Sequence, residues 1–145
     1  MPPSSVTSAA IPSLQLCQRE GGPTTLYVHI YDEASRLPAT LLRQTLSPDT
    51  DVPLLVAPID NVTRSADLRQ QRRPVPWPKP TLVLHDPASR DCALAITRYI
   101  GAPWVSAAEP DRVWLRNLPR SLDARPGMIE LWLPPMDSAS AESRP

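Results

Sequence analysis

Two stretches of the chain read alike: Tyr-Val-His-Ile-Tyr-Asp-Glu-Ala-Ser-Arg at 27–36 and Thr-Leu-Val-Leu-His-Asp-Pro-Ala-Ser-Arg at 81–90. Each begins as an alternating apolar run and ends it on a ring, Tyr31 or His85. Each then continues Asp-x-Ala-Ser-Arg. Leu26, Val28 and Ile30 alternate with Tyr27, His29 and Tyr31, a period of two that predicts a half-buried strand. Asp32 and Asp86 suit the N-cap of a following helix, where a short carboxylate accepts from the first free amides and meets the positive end of the helix dipole. Pro87 occupies a first helical position, where proline is tolerated. The internal repeat therefore reads as two βα units. Its serine and arginine also admit an anion site at two helix starts, helped by Arg36 and Arg90, but nothing glycine-rich precedes either start to let a phosphate approach.

Outward from this pair, a first helix is expected from about Glu33 to Leu46, with Ala34, Leu37, Leu41, Leu42 and Thr45 facing the core. Pro38 either bends that helix or divides it into a turn and a main helix that begins near Leu37; the continuous, bent form is the expectation. A short edge strand centred on Leu54 to Ala57 follows, flanked by prolines. Asn61-Val62-Thr63 matches a glycosylation sequon. Residues 64–73 are polar and basic, with only Ala66 and Leu68 as apolar anchors, and read as an exposed loop or a poorly packed helix, the loop being preferred. The run Pro74 to Pro80, with proline at every second position, reads as a stiff extended connector with Trp77 pinned to the body. All its proline spacings are even, so it lacks the P-x-x-P spacing of SH3 ligands. The second unit is a strand at 81–85 and a helix at about 87–100, with Ala88, Cys92, Ala95, Ile96, Tyr99 and Ile100 buried and Gly101 as a left-handed stop. Val113 to Leu118 and Met128 to Leu133 are two further strands that could form a hairpin.

The order β-α-β-β-α-β-β implies an α+β protein: a ferredoxin-like, split βαβ two-layer sandwich with two helices on one face of a mixed sheet of four or five strands. A small doubly wound α/β fold is the alternative. Residues 1–23 read as a flexible lead-in, 24–133 as a single domain and 134–145 as a disordered polar tail. In the split βαβ layout the two repeated strands lie side by side, Tyr31 beside His85 and His29 beside Val83. Val28, Ile30, Leu82, Leu84, Ile129, Leu131 and Leu133 then face the helices. Tyr27, His29, Tyr31, Val83, His85, Glu130 and Trp132 form the opposite, open face.

The 145 residues carry 15 cations and 15 anions, so no global field draws the chain to nucleic acid or acidic membrane. All but Lys79 of the cations are arginine, and 20 residues are proline. No apolar run approaches ~18 residues, and residues 1–16 lack the basic and continuous apolar regions of a secretory signal. A cytoplasmic location is the expectation. Cys17 and Cys92 make neither a disulfide framework nor a zinc site; Cys92 is expected as a small core residue and Cys17 in the lead-in.

Catalytic chemistry finds little support. His29 and His85, diagonal on neighbouring strands at ~7 Å, could hold zinc with Asp32 or Glu130, but the usual ligand spacing is missing. There is no G-x-S-x-G, no Walker loop and no G-x-G-x-x-G. Cys92 on an apolar stripe is a poor nucleophile. No catalytic residue, metal or cofactor is expected.

The stretches 27–36, Ile-Asp-Asn-Val at 59–62 and Ile-Glu-Leu-Trp-Leu at 129–133 resemble small bacterial accessory domains of the LytR carboxy-terminal and SPOR kind, over about residues 24–133. The resemblance implies a non-catalytic appendage that binds a partner or cell-wall glycan, and it carries over no site residue. The functional expectation is a non-enzymatic bacterial interaction domain that binds a protein partner or itself through Tyr27, His29, Tyr31, His85 and Trp132. The alternatives are a small-ligand or glycan sensor on the same face, and a small α/β enzyme with its site near Asp32, Glu33, His85 and Asp86. Nucleic acid is not expected, since this face carries no Arg or Lys and no RNP motif is present.

Overall fold

The computed structural model describes residues 12–19, 22–46, 54–101, 104, 113–117 and 127–135. Seven strands join in one mixed sheet: β1 (Gln18–Arg19), β2 (Gly22–Ile30), β3 (Leu54–Val56), β4 (Asp60–Asn61), β5 (Thr81–Leu84), β6 (Trp114–Asn117) and β7 (Met128–Trp132). The helices are α1 (Arg36–Leu46), α2 (Val62–Leu68) and α3 (Arg90–Thr97). The protein is thus α+β. The path across the sheet is β1-β2-β7-β5-β6, and β3 and β4 both add to β2.

The two repeated strands are not neighbours, contrary to the expected side-by-side placement. β7 lies between them, parallel to β2 and antiparallel to β5, so β2 and β5 run in opposite directions. Nor do β6 and β7 form a hairpin, because β5 separates them. Central β7 is apolar on its inward positions, Ile129 and Leu131. Gly127, at φ 78°, turns the chain into it, and its carbonyl accepts the Thr25 amide at 2.8 Å.

The alternation read from the sequence holds. Leu26, Val28, Ile30, Leu82, Leu84, Ile129, Leu131 and Leu133 are fully buried and share one core with α1 and α3. Burial of each aliphatic side chain contributes about 1.5–3 kcal/mol.

Both Asp-x-Ala-Ser-Arg motifs fold the same way. A single 3₁₀ turn covers Glu33–Ser35 and Pro87–Ser89, the α-helix begins at the arginine, and the serine is buried. Asp86 caps as expected, accepting from the Ala88 amide at 3.0 Å. Asp32 occupies the N-cap position without a side-chain cap bond; it accepts the Ser35 hydroxyl instead. The 3₁₀ turn also resolves the proline difficulty. Because α1 starts at Arg36, Pro38 falls in its first turn, where no intrahelical partner is lost. The restart changes the phase of the helix. Ala39, Leu42 and Leu46 face the core, while Leu37 and Leu41, expected inside, are 69% and 55% exposed. In the second unit Cys92, Ala93, Ala95, Ile96 and Ile100 are buried and Ala88 is exposed. Gly101 does not take the left-handed conformation, since α3 has already ended at Thr97.

Two segments expected to be loose belong to the body. Within residues 64–73, α2 forms because Asn61 caps it, its Oδ1 accepting from the Arg64 amide at 3.0 Å. Asn61 Nδ2 donates to Glu33 Oε2 at 2.7 Å, so the sequon amide is already engaged. Leu14 and Cys17 lie in the core, and Cys17 is disulfide-bonded to Cys92 of α3. That corrects the reading of residues 12–19 and 22–23 as a flexible lead-in and of the cysteines as unpaired. Residues 1–11 and 136–145 lie outside the described residues.

The bond joins positions 75 apart in sequence, and closing a loop of that size constrains the unfolded chain strongly. Cys17→Ala with Cys92→Ala is therefore expected to lower the unfolding free energy by about 2–4 kcal/mol. Urea unfolding of the variant against the oxidised wild type measures it, and thiol titration of the unfolded wild type should find no free cysteine.

Candidate functional site

The face opposite the core carries the residues that parity assigned to it, but their neighbours differ from those expected. Across β2-β7-β5, Glu130 pairs with Tyr27 on one side and Val83 on the other, and Trp132 pairs with His29 and Thr81. Diagonal neighbours on a sheet face lie within reach of long side chains. Glu130 is diagonal to His29 on one flank and to His85, just past the end of β5, on the other. It bridges both: His29 Nε2 to Oε1 at 2.9 Å and His85 Nε2 to Oε2 at 2.8 Å. The histidines are thus joined through a carboxylate on the intervening strand, and not by direct adjacency.

A carboxylate only accepts, so each imidazole donates its Nε2–H to Glu130. Both Nδ1 atoms are buried without a hydrogen-bond partner. His29 Nδ1 lies 3.8 Å from Asp60 Oδ2 of β4, the strand that pairs with it, which makes an ion pair only when the ring is protonated. Burial by itself would raise the Glu130 carboxyl, but the hydrogen bonds and charge of His29 and His85 together hold it below its ordinary value. His29 also packs on Trp132, with ring centroids 4.2 Å apart, and Trp132 lies 6.0 Å from Tyr31.

The expected open platform is partly closed, with Tyr27 and Trp132 half-buried. Tyr31 is 6% exposed, and the His29, His85 and Glu130 side chains are 14%, 10% and 16% exposed. Thr81 and Val83, on the same face, are buried. The proline-rich connector covers part of it. Trp77 stacks edge-on against Trp114, at 6.4 Å, and its backbone amide approaches the Tyr31 hydroxyl without closing a full hydrogen bond. Burial pushes the Tyr31 phenol up to about 12, which the Trp77 backbone only partly offsets. Trp114 shares this face, because it pairs with Thr81. The pinned Trp77 expected from the sequence is therefore present.

Sequence reasoning did not find Asp60, Trp114 or Arg116 on this face. Their signal was the parity of β6 and the pairing of β4, readable only once each strand has a partner. The site proposed for the enzyme alternative is divided. Asp32 and Glu33 follow β2, whereas His85 and Asp86 follow the oppositely directed β5, which puts the pairs at opposite ends of the sheet. Glu33 is held down at about 2 by Arg36, which salt-bridges it at 2.7 Å, and by Asn61. Among the described residues, no group of three His, Cys, Asp or Glu side chains is placed to hold a metal ion. No helix among them is long and apolar enough to cross a membrane.

No family model matches the chain, and no curated protein or solved structure matches it.

The Glu130 bridge makes a pH-dependent contribution. A carboxyl whose folded value is lowered stabilises the fold above its ordinary value, 4.5, and loses that contribution as pH falls through the folded value. Glu130→Ala leaves two buried imidazole donors without an acceptor, at about 1–3 kcal/mol each. Glu130→Gln should flatten the acid limb of the stability curve. Chemical denaturation from pH 7 to pH 3 is expected to show wild type losing more stability below pH 4.5 than the glutamine variant.

Proposed function

We propose that the chain is a non-enzymatic interaction domain whose partner is a protein. The observation that carries this reading is the exposed apolar surface of α1. Leu37 and Leu41, one helical turn apart, stand out of the core at 69% and 55% exposure. Leu41 also lines a groove of about 210 Å³ with Pro38, Leu42, Thr45, Tyr99 and Trp104. Adjacent exposed leucines beside an aromatic-lined groove mark an association surface.

This moves the contact from the sheet face to the helical side. Tyr27, His29, Tyr31, His85 and Trp132 serve in this reading as the partly closed outer layer of the sheet. A glycan or small-ligand sensor on that face would need its rings accessible for stacking, whereas His29 and His85 are engaged by Glu130 and Tyr31 is buried. The enzyme alternative has its candidate groups at opposite sheet ends. The antiparallel β5–β7 pair and a core on one face favour a two-layer sandwich over a doubly wound sheet, although the strand order is not that of the split βαβ. The likeness to LytR carboxy-terminal and SPOR domains supports an appendage role. The disulfide supports an oxidising compartment over the cytoplasmic one expected, since such bonds rarely persist among reduced thiols.

A photo-crosslinking benzoylphenylalanine at position 41 tests the surface, with the same residue at exposed position 44 of α1 as control. The expected result is a discrete adduct from position 41, to a second copy or to another protein, that is lost when Leu37→Glu is added. Equal labelling from both positions, or none from position 41, contradicts the reading.

A further inference from the structure

The sheet ends at β6, and among the described residues nothing pairs with its outer edge. The Trp114 amide donates inward to the Pro80 carbonyl at 2.9 Å. Backbone groups alternate sides along a strand, so the N–H and C=O of Leu115 point outward, with no partner strand among the described residues. They open into a shallow depression of about 460 Å³ lined by Arg90, Val113, Trp114, Leu115 and Arg116. Arg116 stacks its guanidinium plane at 4.7 Å from the Trp114 ring and 5.6 Å from Trp77, and Lys79 lies 5.3 Å from Trp114. Stacking uses the face of a guanidinium and leaves its N–H fork available. No carboxylate among the described residues pairs with Arg90, Arg116 or Lys79. In a chain of zero net charge, this is a local excess of positive charge beside an open strand edge.

We propose that β6 is a strand-addition site for an acidic, extended peptide segment of a partner protein. The incoming backbone pairs with Leu115 while its alternate carboxylates, all on one face, meet Arg116 and Lys79, and Arg90 adds positive charge from the helix side. Charged side chains also serve to blunt exposed edges against aggregation. Here the charges are of one sign and have no carboxylate partner among the described residues, so they repel a basic strand and attract an acidic one. The site is separate from the α1 groove and stands or falls independently of it.

The test titrates the full chain, ¹⁵N-labelled, with the peptide acetyl-Val-Glu-Val-Glu-Val-Glu-amide. Three controls are its lysine counterpart, a copy N-methylated at alternate amides, and inorganic phosphate. The expected result is that only the acidic peptide with free amides shifts the Leu115 amide and slows its hydrogen exchange, and that added salt weakens the effect. Arg90→Ala, which leaves the tryptophan stack intact, should weaken binding about tenfold; Arg90→Ala with Arg116→Gln should weaken it further. The proposal is overturned if the lysine or N-methylated peptide binds as well. It is also overturned if phosphate alone reproduces the shifts, which would make this a small-oxyanion site. A Leu115 amide already protected by a second copy, seen as a doubled solution mass, or the absence of any peptide-induced shift overturns it as well.

Discussion

One carboxylate, on the strand between the two repeated units, holds the outer layer of this sheet. Glu130 accepts from an imidazole on each side, so β2, β7 and the end of β5 are tied across the face that lacks the main core. The arrangement needs all three strands in a single register. A slip of one residue on β7 would turn Glu130 into the aliphatic core and Leu131 out of it. Charged groups withdrawn this far from water are tolerated only with their partners in place. The bridge therefore favours one strand order over others that the same hydrophobic alternation would permit.

The rest of the fold closes around that order. On the inner face, α1 and α3 pack on aliphatic residues of β2, β5 and β7, and the Cys17–Cys92 bond ties the chain before β1 to α3. On the outer face, the proline-rich connector reaches from α2 to β5 and lays Trp77 against Trp114 and Arg116. Polar chemistry and aromatic packing thus cover the side that no long helix covers. Among the features that stay exposed are the leucines of α1 and the edge of β6.

Parity was legible in the sequence. Val28, Ile30, Leu82, Leu84, Ile129, Leu131 and Leu133 face inward, and His29, Glu130 and Trp132 face out, because alternation is a local property. Partnership was not legible. Nothing in residues 81–90 says that β5 runs antiparallel to β7, and the repeat itself suggested adjacency. His29 and His85 were therefore placed together, when what joins them comes from Glu130, 101 and 45 residues away. The phase of α1 failed for a local reason: a 3₁₀ turn has three residues per turn, so Glu33–Ser35 offset the stripe and put Leu37 and Leu41 outside. The disulfide was hidden because two cysteines 75 positions apart carry no spacing signal.

The most direct test of the central claim is the tautomeric state of the two histidines at neutral pH, read from long-range ¹H–¹⁵N correlations of the imidazole rings. Both His29 and His85 are predicted to carry hydrogen on Nε2, and both patterns to change in Glu130→Gln. A bare Nε2 in either ring, or averaged tautomers, would contradict the carboxylate bridge and the strand order built on it.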